Sequence, residues 1–222
     1  MAEKPFIALN LKSYEQSYGE SGLELCRIAR DVSRSLGVRV VACPNHLLLR
    51  EAVKMGGEIF AQHVHGNHPG AFTGSVTAKM LLGAGVHGSL VNHSEKRMNP
   101  ENIKVSVEAL KHAQLESMVC AQDVNECAQY AAFKPTYIAI EPPELIGSGI
   151  SVSNAKPEII AGAIDAVREV NSDVRVVCGA GVSNPEDVER AFELGVQGVL
   201  LASAYVKSAN PRKFLESIVA KV

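Results

Sequence analysis

A rhythm constrains this chain more than any single motif. Short apolar runs, rich in β-branched residues, alternate with amphipathic segments from end to end. The runs are PFIALN (5–10), VRVVAC (38–43), EIFAQHV (58–64), GSLVNH (88–93), SMVCAQ (117–122), TYIAIE (136–141), VRVVCG (174–179) and GVLLAS (198–203). They are apolar throughout instead of alternating, the signature of parallel strands covered on both faces. Helical periodicity marks 22–36, 75–84, 101–115, 157–170, 185–194 and 211–219, and more weakly 47–55 and 125–132. Asn99-Pro100-Glu101 and Asn184-Pro185-Glu186-Asp187 each set a capping residue, a proline and an acid where a helix would start. Eight strands alternating with eight helical segments predict an α/β fold. The form expected is one (β/α)8 barrel filling residues 1–222 as a single domain, at about 28 residues per repeat. The rival, an open doubly wound sheet, would more often carry a glycine fingerprint after its first strand. Here that strand runs into Asn10-Leu11-Lys12, with no glycine before Gly19.

Composition narrows the function. A formal net charge of −2 with no basic cluster argues against nucleic acid. No apolar run is long enough for a membrane span, and the first residues lack a signal-peptide layout, so a cytoplasmic location is expected. Five cysteines, an odd number without C-x-x-C spacing, read as small buried thiols in a reducing compartment.

In a barrel of this kind the active site forms where the strands end. Strand one ends in Asn10 and Lys12, strand four in Asn92-His93-Ser94-Glu95, and strand six in Glu141. Strand seven ends in Gly179-Ala180-Gly181-Val182-Ser183, and strand eight in Ala202-Ser203. The last two loops carry little side chain, so an anion can approach their amides, as phosphate often does after strands seven and eight. A plain tight turn is the alternative for Gly-Ala-Gly. Glu141 is a candidate base, His93 a candidate electrophile or acid, and Lys12 a fixed positive charge. Taken singly, each has an ordinary surface explanation. One rim beside a phosphate loop makes three ordinary explanations hard to hold together.

These residues resemble the triosephosphate isomerase family. The resemblance rests on Asn10-Leu11-Lys12, on Asn92-His93-Ser94-Glu95-Lys96-Arg97, on Glu141-Pro142-Pro143-Glu144-Leu145-Ile146-Gly147-Ser148-Gly149, and on the two small-residue loops. It runs in order over essentially the whole chain. The short length and the Pro-Pro-Glu-Leu stretch are similar to the archaeal branch. It implies a TIM barrel that interconverts dihydroxyacetone phosphate and glyceraldehyde 3-phosphate, without metal or organic cofactor. It further implies Glu141 as the proton-transferring base and His93 as a neutral imidazole polarising the carbonyl. Lys12 would stabilise the enediolate, and Asn10 would orient the substrate. Leu11, Ile146, Gly181, Ala202 and Ser203 complete the implied substrate contacts. A lid would follow Glu141, stiffened by Pro142 and Pro143 and freed at Gly147 and Gly149, with Glu144 as a lid contact.

Gly70-Ala71-Phe72-Thr73-Gly74 resembles the loop by which a subunit of this family reaches its neighbour. The resemblance implies a dimer at least, with Thr73 supporting Asn10 or Lys12 of the other copy. His63, His65 and His68 could form a metal site if the third strand continued through them. An interface role is the expected one. Two rival functions remain at this level: another phosphate-binding barrel enzyme, such as a sugar-phosphate epimerase or isomerase, and a catalytically inactive binding barrel.

Overall fold

The computed structural model describes residues 5–145 and 151–222. Eight strands follow one another around a closed parallel barrel: β1 Phe6–Asn10, β2 Arg39–Cys43, β3 Glu58–Ala61, β4 Gly88–Val91, β5 Glu116–Ala121, β6 Tyr137–Ile140, β7 Arg175–Cys178 and β8 Gly198–Leu201. Closure is direct, since Ile7 of β1 lies beside Val40 of β2 on one side and Val199 of β8 on the other. The helices are α1 Gly19–Leu36, α2 Leu49–Lys54, α3 Ala78–Ala84, α4 Pro100–His112, α5 Val124–Ala131, α6 Val152–Ala155, α7 Pro157–Val170, α8 Pro185–Glu193, α9 Ser203–Val206 and α10 Pro211–Val219.

The continuous apolarity of the strands is explained by two separate cores. Alternate side chains point to opposite faces of a strand. One set, including Phe6, Ala8, Val41, Phe60, Leu90, Met118 and Leu200, fills the barrel interior. The other, including Ile7, Leu9, Val40, Val91, Val119, Ile138 and Val176, packs under the helices. Interior space is tight. A Cβ at Gly88 would lie 2.7 Å from the Phe60 ring and 2.5 Å from the Glu116 carbonyl oxygen, so this position takes only glycine.

The helix starts follow the sequence signals. Side chains of Asn99, Asp123, Asn184 and Asn210 accept hydrogen bonds from the N–H groups three residues on, and proline opens α4, α8 and α10. Each such cap stabilises its helix by about 1 kcal/mol.

Several boundaries differ from the sequence expectation. The third strand stops at Ala61 and does not run on to Val64, so His63 and His65 are not strand neighbours on one face. Their rings meet edge to face, centroids 4.6 Å apart. The helix expected from Ser75 begins at Ala78, because Thr77 is extended and caps it. The one expected over 101–115 begins at Pro100 and ends at His112, where Gln114 turns the chain with φ of 57°. The weak segment 47–55 shrinks to α2, the segment 125–132 moves one residue earlier as α5, and α1 gains three residues and starts at Gly19. Two four-residue helices, α6 and α9, were not expected, because four residues are too few to show periodicity.

At the N-terminal end of the strands the barrel is closed by a charged plug. Arg39 donates to Glu58 Oε2 at 2.6 Å and to both Glu116 oxygens at 3.0 Å, and to the Tyr137 hydroxyl at 2.5 Å. Arg175 stacks over the Tyr137 ring at 4.2 Å. Burial works against the Arg39 charge, but the surrounding acids more than offset it and raise its pKa.

Candidate active site

Glu141 follows β6 directly and is buried. Its N–H donates to the Ala121 carbonyl at 2.7 Å, which fixes the backbone beside β5. Its Oε1 faces His93 Nε2 at 3.7 Å, and its Oε2 is buried without a hydrogen-bond partner among the described residues. Burial raises the Glu141 pKa above the ordinary carboxylate value; His93, the Cys120 thiol and Lys12 pull the other way without cancelling it. A carboxylate held in this way is short of solvation and ready to take a proton. The side chain lies directly over Gly179. A Cβ there would come within 2.5 Å of Glu141 Cγ, so Gly179 makes room for the acid as well as for a ligand.

His93 ends the loop from β4 and caps a 3-10 turn, Ser94–Lys96. Its Nδ1 accepts the Glu95 N–H at 3.2 Å. A nitrogen that accepts leaves the ring proton to the other nitrogen, Nε2, which lies on the Glu141 side. Asn92, in the left-handed region at φ 61°, holds the turn: its Nδ2 donates to the Cys120 carbonyl and its Oδ1 accepts the Met98 N–H.

Lys12 is also left-handed, at φ 47°. Asn10 Oδ1 accepts its N–H at 3.0 Å, and Gln62 Nε2 donates to its carbonyl at 3.0 Å and to that of Cys43 at 2.9 Å. These contacts keep the strained backbone in place and send the ammonium to Glu95 Oε1, 2.7 Å away. Glu95 therefore touches two site residues: its carboxylate holds Lys12 and its N–H sets the His93 tautomer.

Asn10, Lys12, His93, Glu141, Gly179, Gly181, Ala202 and Ser203 all line one pocket. Leu11 is fully buried in the outer core, with its N–H donating to the Cys43 carbonyl. On the pocket's far side, the N–H groups of Gly181, Ser203 and Ala204 meet no acceptor among the described residues. The last two are orphan donors of the first turn of α9, which Tyr205 anchors by donating to the Leu25 carbonyl at 2.7 Å. Unpaired amides beside an acid, an imidazole and an ammonium suit a small anionic molecule with an acidic C–H.

Ile146, Gly147 and Gly149, expected in substrate contact and lid, lie outside the described residues. The described flanks are Pro143–Leu145, a 3-10 turn, and α6; the exposed Glu144 pairs with Lys156, whose hydrogen bond lowers its pKa. Glu95, Gln62, Cys120 and Tyr14, the last lining the same pocket, were missed as site residues by sequence reasoning. Glu95 stood inside the His-Ser-Glu motif, whereas the others gave no signal beyond lying near strand ends. Phe72 and Thr73 are exposed, away from this pocket. His65 Nδ1 accepts the Val76 N–H at 3.1 Å, and burial, with Lys96, His65 and His46 nearby, lowers the His63 pKa to about 4. All five cysteines are buried and free.

Comparison with known proteins gives a concordant result. The family model described as triosephosphate isomerase matches residues 5–221. The triosephosphate isomerase of Methanosarcina acetivorans is 45% identical over 219 residues, covering 98% of this chain and 99% of that protein. Its namesake from Methanothermus fervidus is 44% identical over 221 residues, 99% of this chain and all of that protein. The one from Methanocaldococcus jannaschii is 42% identical over 214 residues, 96% and 98% of the two chains.

Proposed function

The chain belongs to the triosephosphate isomerase family, and from that premise we propose that it interconverts dihydroxyacetone phosphate and D-glyceraldehyde 3-phosphate through an enediolate. The observation that carries this reading is one pocket shared by Glu141, His93, Lys12 and amides after β7 and β8 that have no acceptor among the described residues.

Each residue then has a role its surroundings support. Glu141, poorly solvated and with one oxygen unpaired among the described residues, takes a proton from one substrate carbon and returns it to the next. His93, its Nδ1 taken up by the Glu95 N–H, donates from Nε2 to the carbonyl oxygen as charge develops there. Lys12 shares its charge between Glu95 and the enediolate, and Asn10 fixes the Lys12 backbone. Gly181, Ala202 and Ser203 offer N–H groups and a helix start to the phosphate, with Leu11 behind the Lys12 loop and Ile146 completing the contact set. These groups provide the proton transfers and charge stabilisation the reaction needs, so the reading invokes no cofactor. A single domain over residues 1–222 and a cytoplasmic location belong to the same reading.

Assembly is part of it. Phe72 is half exposed at the tip of its loop, and a second pocket, lined by Lys12, Gln62, His46, His63 and Glu95, opens beside the catalytic one. A second copy inserting its Phe72-Thr73 loop there would cover both features. Replacing Phe72 and Thr73 should lower activity together with assembly in sedimentation runs; a fully active monomer would contradict the insertion.

The function is tested by a coupled assay with glyceraldehyde 3-phosphate, run beside ribulose 5-phosphate epimerisation. Turnover of the triose alone is expected. Turnover of the pentose alone would favour the epimerase reading.

A further inference from the structure

Asp187 is a buried carboxylate, 3% exposed, in the first turn of α8. No cation is paired with it in the described residues; hydrogen-bond donors surround it instead. Its Oδ2 accepts from the Ser183 N–H at 2.9 Å and the Ser183 hydroxyl at 3.1 Å. Its Oδ1 accepts from Asn154 Nδ2 at 2.6 Å. Its carbonyl accepts from the Ser153 hydroxyl at 3.1 Å, which in turn meets the Ser151 hydroxyl at 2.7 Å. A cap needs none of this, since Asn184 already caps α8 through the Asp187 N–H. What the carboxylate does join is α6 to the end of the loop after β7. The other end of that loop is fixed by the Gly179 N–H on the Ile140 carbonyl, and its middle by the Val152 N–H on the Ala180 carbonyl. Between these ties sits Gly181, left-handed at φ 72° and lining the pocket, its N–H without an acceptor among the described residues.

We propose that Asp187 is a positioning residue for anion binding: through Ser183 and Asn154 it sets the loop that presents the Gly181 N–H to the phosphate of the substrate. This rests on the functional reading above and extends it to a residue outside the pocket. The chemistry requires an acceptor at both oxygens. An asparagine at 187 would replace one oxygen by a donor, which must then face either the Ser183 donors or Asn154, whose amide would have to turn its own oxygen inward to accept it. A fixed acceptor at residue 154 removes that demand. In an Asn154→Asp, Asp187→Asn swap, Nδ2 of residue 187 donates to the new carboxylate and Oδ1 still accepts from Ser183. Position 154 is exposed, so the relocated charge is well solvated.

The test measures the affinity of inorganic phosphate by calorimetry, alongside kcat and KM for glyceraldehyde 3-phosphate. Asp187→Asn should weaken phosphate and raise KM by about tenfold, one hydrogen bond's worth, with kcat changed by less than about threefold. The swap should restore both affinity and KM. Unchanged phosphate affinity in Asp187→Asn would overturn the proposal, as would a swap that folds like the wild type and still binds phosphate weakly. If Asp187→Asn does not fold, the swap alone decides by the same two results. Calorimetry needs no turnover, so a wild type that binds phosphate without isomerising triose phosphate would sink the functional reading and leave the Asp187 test intact.

Discussion

The two ends of the barrel both hold charge in a place that disfavours it, and they handle it in opposite ways. At the N-terminal end Arg39 spends its donors on Glu58, Glu116 and Tyr137. Both acids there, Glu58 and Glu116, are paired with the guanidinium. At the C-terminal end, among the described residues, Glu141 keeps an unpaired oxygen, the amides of Gly181, Ser203 and Ala204 lack acceptors, and Lys12 and Asn92 sit in left-handed backbone. One end is satisfied and stabilises the fold. The other is under-satisfied, and a substrate can supply what is missing. Local strain and unmet polar groups gather at sites that do chemistry. Here the unmet polar groups mark the functional end without reference to any relative; strain alone does not, since Gln114 and Lys134, in the turns before β5 and β6, are left-handed as well.

That contrast can be broken by substitution. Glu141→Asp draws the carboxylate back by about a methylene and should cut kcat by about 100-fold or more, with circular dichroism unchanged. Near-normal turnover would remove Glu141 from proton transfer. Gly179→Ala pushes on the same side chain from below and should lower kcat by about tenfold while KM moves less. Arg39→Met should do the reverse. It leaves two partly exposed acids without their cation and should cost about 1–2 kcal/mol in denaturant unfolding, with kcat retained. A loss of activity that outran the loss of stability would show that the two ends are not separable.

A smaller effect sharpens the contrast through pH. The folded-state pKa of Glu141 is raised above its unfolded value, so the native state binds this proton more tightly. The associated stability is fully present below the unfolded pKa and is lost as pH rises through the folded one. Glu141→Gln cannot titrate, so it should melt higher than wild type on the neutral side of that window, with the gap closing toward acid. The acid limb of kcat/KM should lie above the ordinary carboxylate range. A limb at the unperturbed value would contradict the burial argument.

How legible these features were in the sequence follows from how locally each is encoded. Strand order and helix starts are local: apolar runs and Asn-Pro caps announced them, and the closed parallel barrel is the one expected. Asn10, Lys12, His93 and Glu141 were legible because each lies at or just beyond the end of its strand. The Arg39 plug was not, since its partners are 19 and 77 residues away and VRVV reads simply as strand. Glu95 was visible as part of a motif, but its contact with Lys12 spans 83 residues. Asp187 was read only as an acid at a helix start; its burial and its bonds to Ser183 and Asn154 appear only once α6 and the loop after β7 pack together. The over-long third strand came from treating Gln62 and His63 as strand residues, whereas the Gln62 side chain is turned to the Lys12 carbonyl.

The central claim is that Glu141 removes a proton from a phosphorylated triose held at this rim. Proton exchange in D2O, followed by NMR on dihydroxyacetone phosphate, measures that step directly. Wild type should place deuterium at the substrate carbon, and folded Glu141→Gln should do so slower by about 1000-fold, within the range for a lost general base. Equal deuterium incorporation by the two proteins would contradict the account.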